Sequence, residues 1–187
     1  MRLLRIALLS VITMTSAVIA HAGTKFIDVE LGASTVDQVR KIAAAAGKVE
    51  DAGTNDWTKG PMLVVNNPSL GIEGVKSALY VFDASGKLSA VALTMSASKG
   101  MDDIKKSRFG EVANALGSKY KLVKQDRPFV GNQYARYSAP DTVIELDAPH
   151  MGFDMQLRYM TTAFFQAMNE GTSKKEQQKR SQEKAKF

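Results

Sequence analysis

The chain has 187 residues, 44% hydrophobic and 24% charged, which is globular composition and enough length for a sizeable core. Cysteine is absent, excluding disulfides, a thiolate nucleophile, a cysteine metal site and a lipidated cysteine. The formal charge of +6 sits at the ends: Arg2 and Arg5 lie in the first segment and six basic residues lie from Lys174 onward, leaving residues 23–173 with 17 basic and 17 acidic side chains.

The body is therefore neutral, and its sequence gives no reason to expect specific nucleic-acid binding. Arg2 and Arg5 precede a mainly apolar run over residues 6–20, and Ala20-His21-Ala22 is a small-x-small site before Gly23. This reads as a signal peptide over residues 1–22, cleaved after Ala22. The alternative, an uncleaved anchor, fits less well. The run is short for a span of ~20 residues, and no basic stop-transfer flank follows it. The expected destination is the periplasm, as a protein without a lipid anchor.

Residues 25–31, KFIDVEL, alternate weakly and read as a first strand. Gly32 ends it. Thr35-Val36-Asp37-Gln38 fits a capping box, and Val36, Val39, Ile42, Ala43 and Ala46 share one helical face before Gly47. Residues 50–61 are polar and turn-rich and hold the only Trp. Residues 62–65 read as a short strand and residues 66–74 as a loop.

Residues 75–95, VKSALYVFDASGKLSAVALTM, read as a β-hairpin. Leu79 and Val81 alternate with Ala78, Tyr80 and Phe82; Val91, Leu93 and Met95 alternate with Ala90, Ala92 and Thr94. Asp83 opens the turn and Gly86 supplies the residue that tolerates positive φ.

In the second half, Asp102 or Asp103 can start a helix carrying Phe109, Val112, Ala113, Leu116 and Tyr120. Residues 126–132 read as a loop and residues 134–137 as a strand. A second hairpin follows over residues 142–160, and a helix begins with Ala163, Phe164, Ala167 and Met168 on one face. The halves agree in order. The expectation is an α+β fold of two tandem helix-plus-antiparallel-sheet units, α-β-β-β repeated, over residues 23–98 and 99–160. A C-terminal helix over 161–173 and a basic tail over 174–187 complete it. The tail is nearly devoid of apolar residues and reads as a solvated helical extension or a disordered segment.

The helix start Gly32-Ala33-Ser34-Thr35-Val36-Asp37-Gln38-Val39 and the hairpin tip Phe82-Asp83-x-x-Gly86-Lys87-Leu88 resemble those of the β-lactamase-inhibitor-protein group and of the small outer-membrane-assembly proteins of the SmpA/OmlA family. The resemblance covers the mature body as a pattern and those two motifs as residues. It implies a helix-and-sheet fold and protein binding, and it carries over no functional residue. Two departures stand against it. The inhibitors carry disulfides and the assembly proteins a lipidated cysteine, whereas this chain has no cysteine.

Catalytic motifs are few. His150 is the only His after residue 22, with Asp147 and Asp154 near it in sequence, and a His–carboxylate pair can serve acid–base hydrolysis. One His without Cys is a poor metal set, so no metal or cofactor is expected. Gly71-Ile72-Glu73-Gly74-Val75-Lys76-Ser77 lacks phosphate-loop spacing. Trp57 is a candidate binding anchor, or it folds back over one end of the sheet. Tyr80, Phe82, Phe129, Tyr134, Arg136 and Tyr137 are further candidates for a binding face, with core or sheet packing as the commoner use of such residues, and His150 is another candidate. Lys174, Lys175, Lys179, Arg180, Lys184 and Lys186 can meet an anionic surface or merely solubilise the end of the chain. The leading expectation is a non-enzymatic periplasmic protein-binding or inhibitory module. An envelope assembly or stress factor touching membrane or cell wall, and a hydrolase using His150, are the alternatives.

Overall fold

A computed structural model describes residues 23–97 and 108–184. The leader over residues 1–22, the helix start at Asp102 or Asp103, and Lys186 lie outside the described residues. The chain first makes a minimal hairpin, β1 (Lys25–Phe26) and β2 (Val29–Glu30), and then α1 (Val36–Ala44). Strands β3 (Val49–Thr54), β4 (Lys59–Asn66), β5 (Val75–Asp83) and β6 (Leu88–Ser96) follow. Helix α2 (Arg108–Gly117) leads into β7 (Lys121–Asp126), β8 (Gln133–Ala139), β9 (Thr142–Ala148) and β10 (Asp154–Thr161). Helix α3 (Thr162–Lys184) ends the described chain.

The expected pair of α-β-β-β units does not form. Strands β3 to β10 make one antiparallel sheet in the order β3-β4-β5-β6-β10-β9-β8-β7. The architecture is mostly β rather than two α+β units. The reason lies in the middle of the sheet. β6 and β10 pair with each other from Ser96↔Asp154 to Ala90↔Met160. Two separate units would leave both of these long strands with an open edge of unpaired backbone groups; joining them removes both edges.

Polar sequence hides one strand, β3, and the end of another, β7, whose start at residues 121–123 reads as extended. Residues 50–54, expected as loop, belong to β3, and residues 124–126 extend β7. Both are edge strands, and every residue of β7 is exposed. A strand with neither face buried shows no apolar alternation. Likewise residues 25–31 turn back on themselves at Ile27, where φ is 52°, instead of running as one strand.

One face of the sheet carries the main core. Tyr80, Phe82, Val91, Leu93, Ile144, Leu146, Met155 and Tyr159 pack there beneath Val39 and Ala43 of α1 and Phe109, Ala113 and Leu116 of α2. The Tyr137 hydroxyl donates to the Ala113 carbonyl at 2.8 Å and pins α2 to β8. The opposite face holds a smaller cluster, Val81, Ala90 and Met160, covered by Phe164 of α3. Period-two alternation within β5, β6 and β10 divides the two sets.

Local chemistry fixes the joints. Thr35 Oγ1 accepts from the Gln38 N–H at 3.4 Å, and Gln38 Oε1 accepts from the Thr35 N–H at 2.9 Å, completing the capping box of α1. At the β5–β6 turn, Asp83 Oδ1 accepts from the Ser85 and Lys87 N–H groups, both at 2.9 Å. Gly86 there takes φ +77°. The Gly86 carbonyl accepts from the Val36 N–H at 3.2 Å, so the turn also fixes the first turn of α1.

Candidate binding surfaces

On the α3 side of the sheet, cross-strand pairing brings Lys124, Arg136, Glu145 and Arg158 into one row. α3 covers the row that follows, at Val143 and Met160, and leaves this one half open. Glu145 is buried at 4% exposure, while the Arg136 and Arg158 side chains keep 34% and 30%. Glu145 Oε1 accepts from Arg136 Nη2 at 3.0 Å and Nε at 3.2 Å, and from the Tyr134 hydroxyl; Arg158 Nη2 lies 3.2 Å from Oε2. The Arg136 guanidinium stands 4.7 Å from the ring centroid of Phe165 on α3.

The electrostatics follow from this packing. Burial, with the Glu145 hydrogen bond adding to it, pushes the Tyr134 phenol up to about 12. Burial opposes the Arg136 charge, but the Glu145 hydrogen bond and Tyr134 outweigh it and raise its pKa. One buried carboxylate held by two arginines and a phenol has its desolvation offset by charge-assisted bonds. The outward sides of Tyr134, Arg136 and Arg158 are left fixed in place beside Gln156, whose Nε2 donates to Thr94 Oγ1 at 3.0 Å.

A second surface lies at the end of the sheet remote from the start of α3. The 127–132 and 149–153 loops leave neighbouring strand ends, at Gln133↔Ala148. The His150 N–H donates to Asn132 Oδ1 at 2.7 Å, and the Gly131 N–H donates to His150 Nδ1 at 3.4 Å. Phe129, Val130, Met151 and Phe153 stand out from these two loops at 104%, 66%, 87% and 86% exposure.

The remaining candidates sort by burial. Tyr80, Phe82 and Tyr137, expected on a binding face, lie in the main core. They occupy the inward positions of their strands, and a sheet covered by α1 and α2 leaves those positions no access to a partner. Trp57 stands at the β3–β4 turn, half-exposed, with its ring edge-on to Phe164 and the backbone of Gly171 beneath it. It folds back over α3 rather than standing free. His150 hydrogen-bonds Gly131 and Asn132, whereas Asp154 accepts from Lys76. Lys174, Lys175, Lys179 and Arg180 lie exposed on the last turns of α3, which is helical through Lys184. Among the described residues no helix is long and apolar enough to cross a membrane, and no three His, Asp or Glu side chains cluster as metal ligands do.

Comparison with protein-family models, with curated proteins and with solved structures finds no match. Glu145 and Arg158 on the first surface, and Val130, Met151 and Phe153 on the second, escaped sequence reasoning. Glu145 and Arg158 sit at outward positions between inward Ile144, Leu146, Leu157 and Tyr159, where a charge reads as an ordinary solvated side chain. Met151 and Phe153 lie in a five-residue turn, where apolar residues have no packing purpose; that mismatch was the available signal.

Proposed function

We propose that this chain is a non-enzymatic binding module of the periplasm that receives a protein partner on the α3 side of its sheet. The periplasmic part rests on the leader sequence, and the protein-binding part has support from the family resemblance at residues 32–39 and 82–88. The observation that carries the reading is the fixed Tyr134–Arg136–Glu145–Arg158 cluster on a half-open sheet face. Arg and Tyr are the side chains that anchor protein interfaces, and groups already held in place lose little freedom on binding.

The test is crosslinking and affinity capture from periplasmic extract with the leader-free chain, beside Tyr134→Ala and Gln156→Arg variants. Gln156→Arg adds bulk and charge to the face one row away from Glu145, Arg136 and Arg158. The wild type should recover a specific protein, and both variants should lose it by about tenfold or more. The same proteins captured equally by all three chains, or none captured by any, overturns the reading.

A further inference from the structure

We infer that the paired 127–132 and 149–153 loops form a lipid-surface anchor, with Phe129, Val130, Met151 and Phe153 entering the headgroup–acyl boundary of an anionic bilayer. This site is separate from the protein-binding face proposed above and does not depend on it.

The apolar exposure is the first reason. Folded chains rarely leave several large apolar side chains together and almost wholly exposed without an interaction that uses them. Here four do so, each at 66% exposure or more. Elsewhere on the surface, exposed apolar side chains such as Ile42 or Leu122 are only half out.

The second reason is shape. These side chains project from loop tips; Met151 alone of the four also borders the small hollow between the loops beside Gly131, Pro149 and His150. A protein partner would have to supply a hollow matched to each tip. A bilayer needs no matched shape, because acyl chains close around any apolar projection. Phe, two of the four here, is among the apolar side chains that interfacial segments bury at the headgroup–acyl boundary.

Charge is the third. Arg127 stands two residues before Phe129, and Lys124 lies on the strand behind it. The Arg127 guanidinium lies 5.6 Å from the Phe109 ring, set back from the tip on the side of the body. Of the nearby acids, Asp154 is paired with Lys76, Asp126 lies between Lys124 and Arg127 in sequence, and Asp147 lies on β9 across from Tyr134 and Gln156. An apolar tip with the Arg127 guanidinium set behind it offers a bilayer an apolar insert and a cation for the headgroups.

The tip is also built and placed for this. The two His150 hydrogen bonds join one loop to the other, and the Ala97 N–H donates to the Phe153 carbonyl at 2.8 Å, tying the second loop to the end of β6. The eight residues of β10 separate the tip from α3, a distance of about 26 Å at strand rise. The sheet can therefore stand end-on at a membrane with its α3 face clear.

The experiment is co-sedimentation of the leader-free chain with sucrose-loaded vesicles, of phosphatidylglycerol mixed with phosphatidylcholine and of phosphatidylcholine alone. The variants are Phe129→Ser/Phe153→Ser and, as a control apolar exposure off the tip, Leu122→Ser. All the substituted side chains are exposed, and circular dichroism checks that the sheet is retained. The wild type and Leu122→Ser should sediment with the anionic vesicles, more weakly as salt is raised. The double variant should bind at least tenfold less tightly. A wild-type chain that stays in the supernatant, or a double variant that sediments as well as wild type, overturns the anchor. So does a tip that leaves vesicles alone but whose double variant loses a captured protein, which makes it a protein-docking element instead. Equal capture by wild type and Tyr134→Ala, which overturns the protein-binding reading, leaves these vesicle results untouched, so the two proposals fail separately.

Discussion

Trp57 meets Phe164 edge to face, with ring centroids 5.6 Å apart and planes at 76°. This contact joins the β3–β4 turn to the first turn of α3. The cluster beneath α3 is small: Val81, Ala90, Met160 and Phe164 are its buried members, with Met62, Leu79, Val143, Phe165 and Met168 partly buried around them, so Phe164 is the one side chain of α3 fully buried there. Phe164→Ala should therefore release α3 before it unfolds the sheet. Hydrogen exchange over residues 164–172 should speed up by about tenfold or more, the cost of roughly 1.4 kcal/mol of local stability, while β5, β6 and β10 stay protected. Trp57 is the only tryptophan, so its emission should shift to the red at the same time. Equal acceleration in sheet and helix would show that α3 does not open alone.

Asn55, 2% exposed, organises the same turn from within. Its Nδ2 donates to the carbonyls of Gly60 and Phe82, both at 2.8 Å. Its Oδ1 accepts from the N–H groups of Trp57 and Thr58 at 3.1 and 2.7 Å. Gly60 lies so close to β5 that an added Cβ would come within 2.2 Å of the Asp83 carbonyl oxygen. Asn55→Ala leaves these buried groups without partners and should cost about 2–4 kcal/mol in urea unfolding. Asn55→Asp should do no better, because it points an oxygen at two carbonyls. A loss under about 0.5 kcal/mol for either variant would count against the hub.

The contrast between these two sites shows what the sequence disclosed. The β5–β6 hairpin was legible because Leu79/Val81 and Tyr80/Phe82 fall on opposite faces and Asp83 and Gly86 supply the turn. The capping box at Thr35 was legible for the same kind of reason: both rules act over a few residues. Asn55 was not, because its partner Phe82 is 27 residues away and a polar Asn in a turn-rich stretch signals nothing. The joining of β6 to β10 was not legible either. It is decided by which open edge meets which, and the two strands lie about 60 residues apart in register. The Glu145 cluster needs three strands aligned before its charges meet, so its row exists only once the sheet does.

Glu145 tests whether that cluster stabilises the fold or only shapes the surface. Glu145→Ala leaves Arg136 and Arg158 facing each other without a counter-charge. Because both arginines reach water, the loss should be about 2–3 kcal/mol rather than the larger value of a fully buried pair. The triple replacement Arg136→Met/Glu145→Leu/Arg158→Met removes the charges together and should recover most of that loss. Chemical unfolding of the two variants beside wild type decides the matter. A triple variant less stable than Glu145→Ala would mean that the ion cluster itself supports the sheet.

The Tyr134 phenol gives the cluster a signature in pH. Burial first, and the Glu145 hydrogen bond second, hold its folded pKa at about 12, against roughly 10 for an unfolded tyrosine. A raised pKa means that the folded chain keeps this proton after the unfolded chain has begun to lose it. Below pH ~10 both states are protonated and the contribution to stability is fully present. As pH rises from there the unfolded state gains by ionising, and the contribution drains away until the folded phenol ionises as well. Tyr134→Phe removes this share of the alkaline loss. Burial also raises Tyr80, Tyr137 and Tyr159, so the variant should still lose stability above pH ~10, but along a shallower curve than wild type. Phenolate absorbance near 295 nm follows the ionisation directly. The wild-type titration minus that of Tyr134→Phe should leave one step close to pH 12. A difference step near pH ~10 would mean that Tyr134 stands in water, free of Glu145.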